Sequence, residues 1–131
     1  RCREALMEGQ KLHYKVMMCL LGDKRAFGPG VAELLDGVRR HGSLQGAARD
    51  MNMSYSKAWT IMRDAESIWG FPLIRRYVGG KDGGRSVLTG QAEEILKRYE
   101  QMDEAIRSVA AQQFGALFND EELQKLREMR G

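Results

Sequence analysis

Cysteine and histidine are scarce in this sequence, and their scarcity excludes most metal and nucleophile chemistry. The 131 residues contain two cysteines, Cys2 and Cys19, and two histidines, His13 and His41. Two isolated thiols form neither a metal framework nor a disulfide scaffold, and this usage is typical of a reducing compartment. No nucleophile–base pair or carboxylate dyad stands out elsewhere. We therefore predict no catalytic residues, no metal site and no cofactor.

Long apolar runs are also missing. None approaches the ~18–20 residues that are needed to cross a bilayer, and no signal peptide with a charged start and a small-residue cleavage site is visible. Hydrophobic residues make up 43% and charged residues 30% of the chain, which is close to a globular average and indicates neither a disordered tail nor a membrane protein. The sequence thus predicts one cytoplasmic domain with no membrane contact.

The chain has no large excess of charge, but its charge is unevenly placed. Lysine and arginine number 21 against 18 aspartate and glutamate residues, a net charge of +3. Residues 36–90 hold nine basic and five acidic side chains, whereas residues 91–131 hold six basic and nine acidic ones. A basic region of this kind indicates a nucleic-acid partner only if it also carries an element that can read bases.

The N-terminal part of the chain predicts a hairpin followed by a first helix. Apolar residues at every second position from Leu12 to Leu20 have the period of one strand with a buried face. A turn at residues 22–25 lets Ala26-Phe27 return as a second strand. The first helix is then predicted from four apolar residues at helical spacing: Val31, Leu34, Leu35 and Val38. Gly42 is placed to end it.

Two further helices follow, joined by a tight turn. Ser43 is an N-cap residue for the second helix, because its hydroxyl can accept from an otherwise unpaired amide of the first turn. The apolar face of that helix contains Leu44, Ala47, Ala48 and Met51, and its two alanines allow a neighbouring helix to approach closely. Asn52 tolerates the left-handed conformation that ends a helix, and Ser54 can cap the third helix, predicted from Tyr55 to about Trp69.

A glycine-rich hairpin and two more helices complete the predicted elements. Strands at residues 73–78 and 85–88 flank the tip at residues 79–84. Thr89 can cap a long helix with a heptad pattern, formed by Ala92, Ile95, Tyr99, Met102, Ile106 and Val109. Asn119 with Glu122 is a capping box that opens a short amphipathic helix through Leu123, Leu126 and Met129.

This order of elements predicts a mainly α fold with small β elements: a winged helix-turn-helix with an N-terminal β-hairpin, a long C-terminal dimerisation helix and a short terminal helix. We expect an N-terminal extension at 1–10, the winged helix-turn-helix at 11–90, the long helix at 91–113 and the short helix at 114–131. In such folds the third helix enters the major groove of DNA, and neighbouring elements hold phosphates.

The residues predicted to contact DNA are the N-cap residues of the second and third helices, further residues of the third helix, and residues of the wing. Their side chains are short hydroxyls, cations and one flat aromatic ring. These residues are Ser43, Ser54, Tyr55, Ser56, Lys57, Thr60, Arg63, Lys81 and Arg85. Hydroxyls and cations at these places suit base edges or phosphates. For Tyr55 and Trp59, packing in the core and contact with DNA remain equally open.

Several short motifs carry a resemblance to a known family. In chain order they are Gly42-Ser43-Leu44, Ala47-Ala48, Met53-Ser54-Tyr55, Ala58-Trp59, Pro72-Leu73, the Gly79-Gly80 to Gly83-Gly84 wing, and Leu88-Thr89. Their order and spacing resemble the N-terminal DNA-binding domain of the molybdate-responsive ModE regulators, over roughly residues 11–107. The helix-turn-helix and the Pro72-Leu73 segment are more distantly similar to LysR-type regulators.

The resemblance implies a homodimeric winged-helix transcription factor that binds double-stranded DNA through the third helix and the wing. A full ModE regulator continues into oxyanion-binding domains, whereas this sequence ends at Gly131. We therefore expect a stand-alone DNA-binding module, with any effector unidentified or any sensor supplied by a separate protein.

Three alternatives stay open. The heptad pattern can pack within its own chain instead of against a second copy. A winged helix can also serve as a protein-interaction module without direct DNA readout, because a fold alone does not establish a function. Finally, Cys2, Cys19 or His13 could belong to a metal or oxyanion sensor, although their spacing offers no preformed site.

Overall fold

The computed structural model describes residues 3–6, 12–79 and 84–131, and in these ranges it shows the expected helical fold with small antiparallel strand pairs. The helices are α1 (Pro29–His41), α2 (Leu44–Asp50), α3 (Tyr55–Trp69), α4 (Gly90–Leu117) and α5 (Asp120–Glu128). The strands are β1 (Arg3–Leu6), β2 (His13–Val16), β3 (Leu20–Leu21), β4 (Arg25–Phe27), β5 (Ile74–Tyr77) and β6 (Arg85–Leu88). They pair as β1–β2, β3–β4 and β5–β6.

The helix-turn-helix forms as its caps and apolar spacing predict. All four apolar residues that define the first predicted helix are buried in α1. Gly42 follows α1 with a φ of 72°, the left-handed conformation that ends a helix without a steric cost to glycine. The Ser43 hydroxyl then accepts a hydrogen bond from the Gly46 amide at 3.0 Å and caps α2. Ala47 and Ala48 of α2 are buried against the core.

The turn into α3 also follows the sequence pattern. Asn52 has a φ of 54°, in the left-handed region. The Ser54 hydroxyl accepts from the Lys57 amide at 3.1 Å, so α3 begins at Tyr55, and Gly70 follows its last residue with a φ of 82°. The predicted bounds of α3 are therefore confirmed.

The prediction of one strand from Leu12 to Leu20 is wrong. Two short strands replace it: β2 pairs with β1, and β3 pairs with β4. Between them, the Met18 carbonyl accepts a hydrogen bond from the Tyr99 hydroxyl at 2.8 Å, so a side chain takes the place of a strand partner. The alternation survives this break, because Met18 is buried while Met17 is exposed.

The wing is fixed to the helices by hydrogen bonds from its backbone amides. The Glu66 carboxylate of α3 accepts from the Leu73 amide at 2.7 Å, at the start of the wing. The Ser86 amide of β6 donates to the Gly42 carbonyl at 2.7 Å, which ties the second wing strand to the turn between α1 and α2. Tyr77 pairs with Arg85 at the far end of β5–β6. The predicted tip at 79–84 lies partly outside the described residues.

The long helix α4 begins where Thr89 caps it and ends at Leu117, four residues beyond the predicted 113. The Thr89 hydroxyl accepts from the Ala92 amide at 3.1 Å and donates to the Pro72 carbonyl at 2.9 Å. The predicted heptad is not buried along its whole length. Ala92 and Tyr99 are buried, whereas two other heptad positions, Met102 and Val109, are 51% and 56% exposed.

The chain divides into two compact units. One runs from Met18 to Tyr99 and contains the helix-turn-helix and the wing. In the other, which includes β1–β2 and Glu100–Gly131, the rings of Tyr14 and Phe114 lie 4.8 Å apart. The Asn119 side chain accepts from the Glu122 amide and caps α5, as predicted, but the helix ends at Glu128 and Met129 lies beyond it.

Candidate nucleic-acid interface

Helix α3 has one buried face and one exposed face. Ala58, Met62 and Ala65 are buried, and they fix the helix against the domain core. The opposite face exposes Ser56, Lys57, Thr60 and Arg63, all of which the sequence predicts to contact DNA. The described residues leave this polar face uncovered, and its length of four helical turns is sufficient to lie along a major groove.

Two of the three aromatic residues of α3, Tyr55 and Trp59, are exposed rather than packed in the core. The side chain of Tyr55 is 47% exposed and that of Trp59 is 45% exposed. A half-exposed aromatic ring leaves apolar surface in water that a ligand can cover. Neither ring is therefore packed in the core, and contact with DNA stays a prediction for both residues.

Two of the hydroxyls that are predicted to contact DNA also cap helices. Ser43 and Ser54 are the N-caps of α2 and α3, and each hydroxyl oxygen accepts one backbone amide. Each hydroxyl proton remains available, because accepting a hydrogen bond does not use it. These residues can thus cap a helix and donate to a phosphate oxygen at the same time.

The hydroxyl of Thr60 donates a hydrogen bond to the backbone, whereas those of Ser43 and Ser54 accept one. It donates a hydrogen bond to the Ser56 carbonyl at 3.0 Å, one helical turn earlier. With its proton engaged, the oxygen offers lone pairs outward, beside the methyl group of the same side chain. This combination suits a base amino group together with the methyl group of thymine.

A cleft of about 420 Å³ lies between the start of α2, the exposed aromatics of α3 and the wing. Its walls include Ser43, Gln45, Tyr55, Trp59, Arg76 and Ser86. Two of these residues, Ser43 and Tyr55, are among the predicted contacts, and the fold brings them together. Arg76 and Gln45 are not among those predictions. The signal for Arg76 was present: side chains alternate along a strand, so it shares a face with the half-buried Ile74.

The basic residues of this unit fall into two groups. Four of them, Lys24, Arg39, Arg40 and Arg98, each form an ion pair with a carboxylate, at distances of 2.5–3.4 Å. Of the eight that pair with no described carboxylate, three lie elsewhere (Arg25, Arg49 and Lys97) and five are on α3 or the wing strands: Lys57, Arg63, Arg75, Arg76 and Arg85. The positive charge that is not neutralised by the protein is therefore concentrated on the α3 and wing side.

An ionic cluster joins the end of α1 to the end of α2. Asp50 Oδ2 lies 2.6 Å from His41 Nε2 and 3.1 Å from Arg40 Nη1. The hydrogen bond from His41, with the nearby charge of Arg40, lowers the pKa of the Asp50 carboxyl below its usual value. The cluster links α1 and α2, the two helices that precede α3.

Arg85 and Lys81 belong to the wing. Arg85 is the exposed first residue of β6. Lys81 lies outside the described residues. In the described ranges, no group of three or more His, Cys, Asp or Glu side chains could hold a metal ion. No described helix combines the length and the hydropathy that crossing a bilayer requires.

Comparison with known proteins points to the same region. Residues 32–93, which contain most of α1, both following helices and the wing, match the model of the lysR family of bacterial regulatory helix-turn-helix proteins. The chain is 35% identical over 75 residues to the transcriptional regulator ModE of Haemophilus influenzae, and this alignment covers 57% of the chain and 29% of the relative.

Two further relatives give the same result. The DNA-binding transcriptional dual regulator ModE of Escherichia coli K12 is 27% identical over 112 residues, 86% of this chain and 39% of that protein. The molybdenum-pterin-binding protein MopA of Rhodobacter capsulatus is 28% identical over 94 residues, 69% of this chain and 36% of its own. The resemblance predicted from the sequence is confirmed, and the chain spans 29–39% of the length of these relatives.

Proposed function

We propose that this chain, whose residues 32–93 form a helix-turn-helix domain of the lysR family type, is a sequence-specific DNA-binding transcription regulator. One observation carries the proposal: the exposed face of α3 is polar and basic, and no described carboxylate neutralises it. In helix-turn-helix proteins this face enters the major groove, where side chains meet base edges. The regulator acts in the cytoplasm, on double-stranded DNA.

Roles for the predicted residues follow from their positions. Ser56, Thr60 and Arg63 share the face of α3 that would lie in the groove, with Lys57 at its border. The capping hydroxyls of Ser43 and Ser54 would contact phosphates beside the groove. Tyr55 would add apolar contact, and Arg85 and Lys81 would reach the adjacent backbone from the wing.

We also propose that the protein binds DNA as a homodimer. Ile95, Met102 and Val109 recur at intervals of seven residues along α4, and Met102 and Val109 are more than half exposed. An apolar stripe with a heptad period is typical of a helix that packs against a second helix. Two-fold pairing would place two copies of α3 about one turn of DNA apart and double the number of bases read.

Selection of bound fragments from a random DNA pool tests this function directly. The expected result is an enriched palindromic site, whose affinity falls steeply with salt because phosphate contacts release counterions. Binding of all sequences alike would contradict specific readout. No enrichment and no salt-dependent binding would overturn the proposal and favour a protein-interaction module.

A further inference from the structure

One arginine on the exposed face of α3 is held by an aromatic ring. The Arg63 guanidinium carbon lies 4.5 Å from the centroid of the Trp59 ring. The two residues are one helical turn apart, the spacing at which side chains on a helix surface meet. Attraction between a guanidinium and an indole ring is favourable, and it restricts an otherwise mobile side chain.

No other described group competes for this guanidinium. Within the described ranges Arg63 has no carboxylate partner, and Asp64, its sequence neighbour, is bonded to Lys24 at 3.2 Å. A ring contact uses the face of the guanidinium and leaves its N–H groups at the edge. The side chain is therefore oriented in advance and still has its donors available for a ligand.

We infer that Arg63 reads a guanine in the major groove and that Trp59 is the positioning residue that holds the guanidinium for it. The inference rests on the proposed function. Guanine presents two acceptors, O6 and N7, on its groove edge, and the paired N–H groups of a guanidinium match them. Arg63 stands on the same face of α3 as Ser56 and Thr60, the face that would meet base edges in the groove.

A phosphate is the other group of DNA that a guanidinium binds, but this position suits it less. Other cations, at the border of α3 and on the wing, can contact the phosphates. Among them are Lys57 and Arg76, and neither of these two is in contact with a described aromatic ring. A point charge is sufficient for such a contact, whereas a bidentate pair with guanine requires a guanidinium held in a fixed orientation.

The experiment selects binding sites from a random DNA pool with the wild-type chain and with matched variants at the two positions. Arg63→Lys keeps the charge but loses the paired N–H groups, and Arg63→Ala removes both. Trp59→Phe keeps an aromatic ring, and Trp59→Leu keeps an apolar side chain without one. Circular dichroism establishes that each variant is folded before its affinities for the selected site and for single-base changes are measured at two salt concentrations.

We expect the wild-type site to contain one guanine per half-site whose replacement weakens binding by roughly 10- to 100-fold. Arg63→Lys should abolish the preference for that guanine and leave the other positions unchanged. Trp59→Leu should reduce the preference for that guanine, whereas Trp59→Phe should retain most of it.

Three results would overturn the inference while the proposed function stands. Arg63→Lys and Arg63→Ala could leave every base preference of an enriched site intact. Arg63→Ala could weaken binding of all sequences equally and reduce the slope of log affinity against log salt concentration by about one, which would assign Arg63 to a phosphate. Trp59→Leu could match the wild type at the guanine position, which would remove the positioning role. If no sequence is enriched, the proposed function itself fails.

Discussion

Gly37 of α1 lies so close to Ala47 of α2 that no larger side chain fits between the two helices. A Cβ atom placed on Gly37 would stand 2.5 Å from Ala47 Cβ and 2.8 Å from Ala47 Cα. The missing side chain thus sets the distance between α1 and α2. The Ser86 amide of the wing donates to the Gly42 carbonyl just after α1, so the wing is attached to the turn between the same two helices.

Replacing Gly37 with alanine is expected to destabilise the domain. The new methyl group must displace the backbone of α2, and such overpacking costs about 1–3 kcal/mol. The better helix propensity of alanine offsets at most about 1 kcal/mol of that. Urea denaturation should therefore show a lower midpoint at an unchanged slope.

Gly30→Ala is the matched control, because Gly30 is in the same helix and a Cβ there would meet nothing within 4 Å. This substitution is expected to leave stability unchanged or to raise it by up to about 1 kcal/mol. Equal midpoints for the Gly37 and Gly30 variants would show that the α1–α2 contact is not tight.

Thr89 is expected to stabilise the junction between the wing and α4 through its hydroxyl. Thr89→Val keeps the shape of the buried side chain but removes both the cap on Ala92 and the bond to the Pro72 carbonyl. The expected loss is about 1–3 kcal/mol in the free energy of unfolding. Thr89→Ser retains the hydroxyl and should recover most of it. A serine variant as unstable as the valine variant would mean that the methyl group, not the hydroxyl, is what matters.

The pH dependence of stability should reveal the Asp50 cluster. Since His41 and Arg40 lower the pKa of Asp50 in the folded state, its ionised form contributes stability above the unfolded value of about 3.8. That contribution is lost as the pH falls below 3.8 and through the lowered folded pKa. Asp50→Asn should be less stable than the wild type at pH 6, and the difference should shrink below pH 3.8.

Asp23→Asn controls for the general effect of removing a carboxylate, since Asp23 is exposed in the β3–β4 turn. Its difference from the wild type should be small. If the Asp23 and Asp50 variants show the same pH dependence, the ionic cluster contributes nothing specific.

The parts of the fold that the sequence predicts best are those determined locally. The bounds of α3 follow from Asn52, Ser54 and Gly70, because capping and left-handed turns depend on the residue at one position. The break after Val16 was not predictable in this way. It depends on two hydrogen bonds, one from the Tyr99 hydroxyl to the Met18 carbonyl and one from the Arg107 guanidinium to the Val16 carbonyl. Each donor lies more than 80 residues away from its acceptor in the sequence and reaches it only in the folded chain.

The difference between local features and contacts that form only on folding also explains which residues of the candidate site could be predicted. Residues of α3 could be predicted because one helix face contains them all, at a spacing that the sequence displays. Arg76 and Gln45 belong to the cleft only because β5 and α2 come together in three dimensions. The heptad of α4 has the correct period, but that period alone does not tell which positions the domain covers, as the buried Tyr99 and the exposed Met102 show.

Charged substitutions on the exposed stripe of α4 are expected to abolish the proposed dimer. Met102→Glu and Val109→Glu place a carboxylate on surface that is already exposed in one chain, so folding should persist. Sedimentation should show twice the chain mass for the wild type and a single chain mass for the double variant. Gln101→Glu adds one carboxylate at an exposed neighbouring position, as each of the two substitutions does, and should remain dimeric. A wild-type monomer at micromolar concentration would contradict the dimer.

Arg76 should contact a DNA phosphate from the cleft, and its neighbour Arg75 provides the comparison. Because side chains alternate along β5, Arg76 lies over the cleft opposite Ser86, whereas Arg75 pairs with Val87 on the other face. Arg76→Gln and Arg75→Gln remove the same charge from adjacent residues. Only the loss of a phosphate contact should lower the dependence of log affinity on log salt, by about 0.9. We therefore expect Arg76→Gln to weaken binding of all sequences alike with a shallower salt dependence, and Arg75→Gln to change both much less. Equal effects of the two variants would mean that DNA senses the overall charge of the wing and that the cleft has no contact of its own.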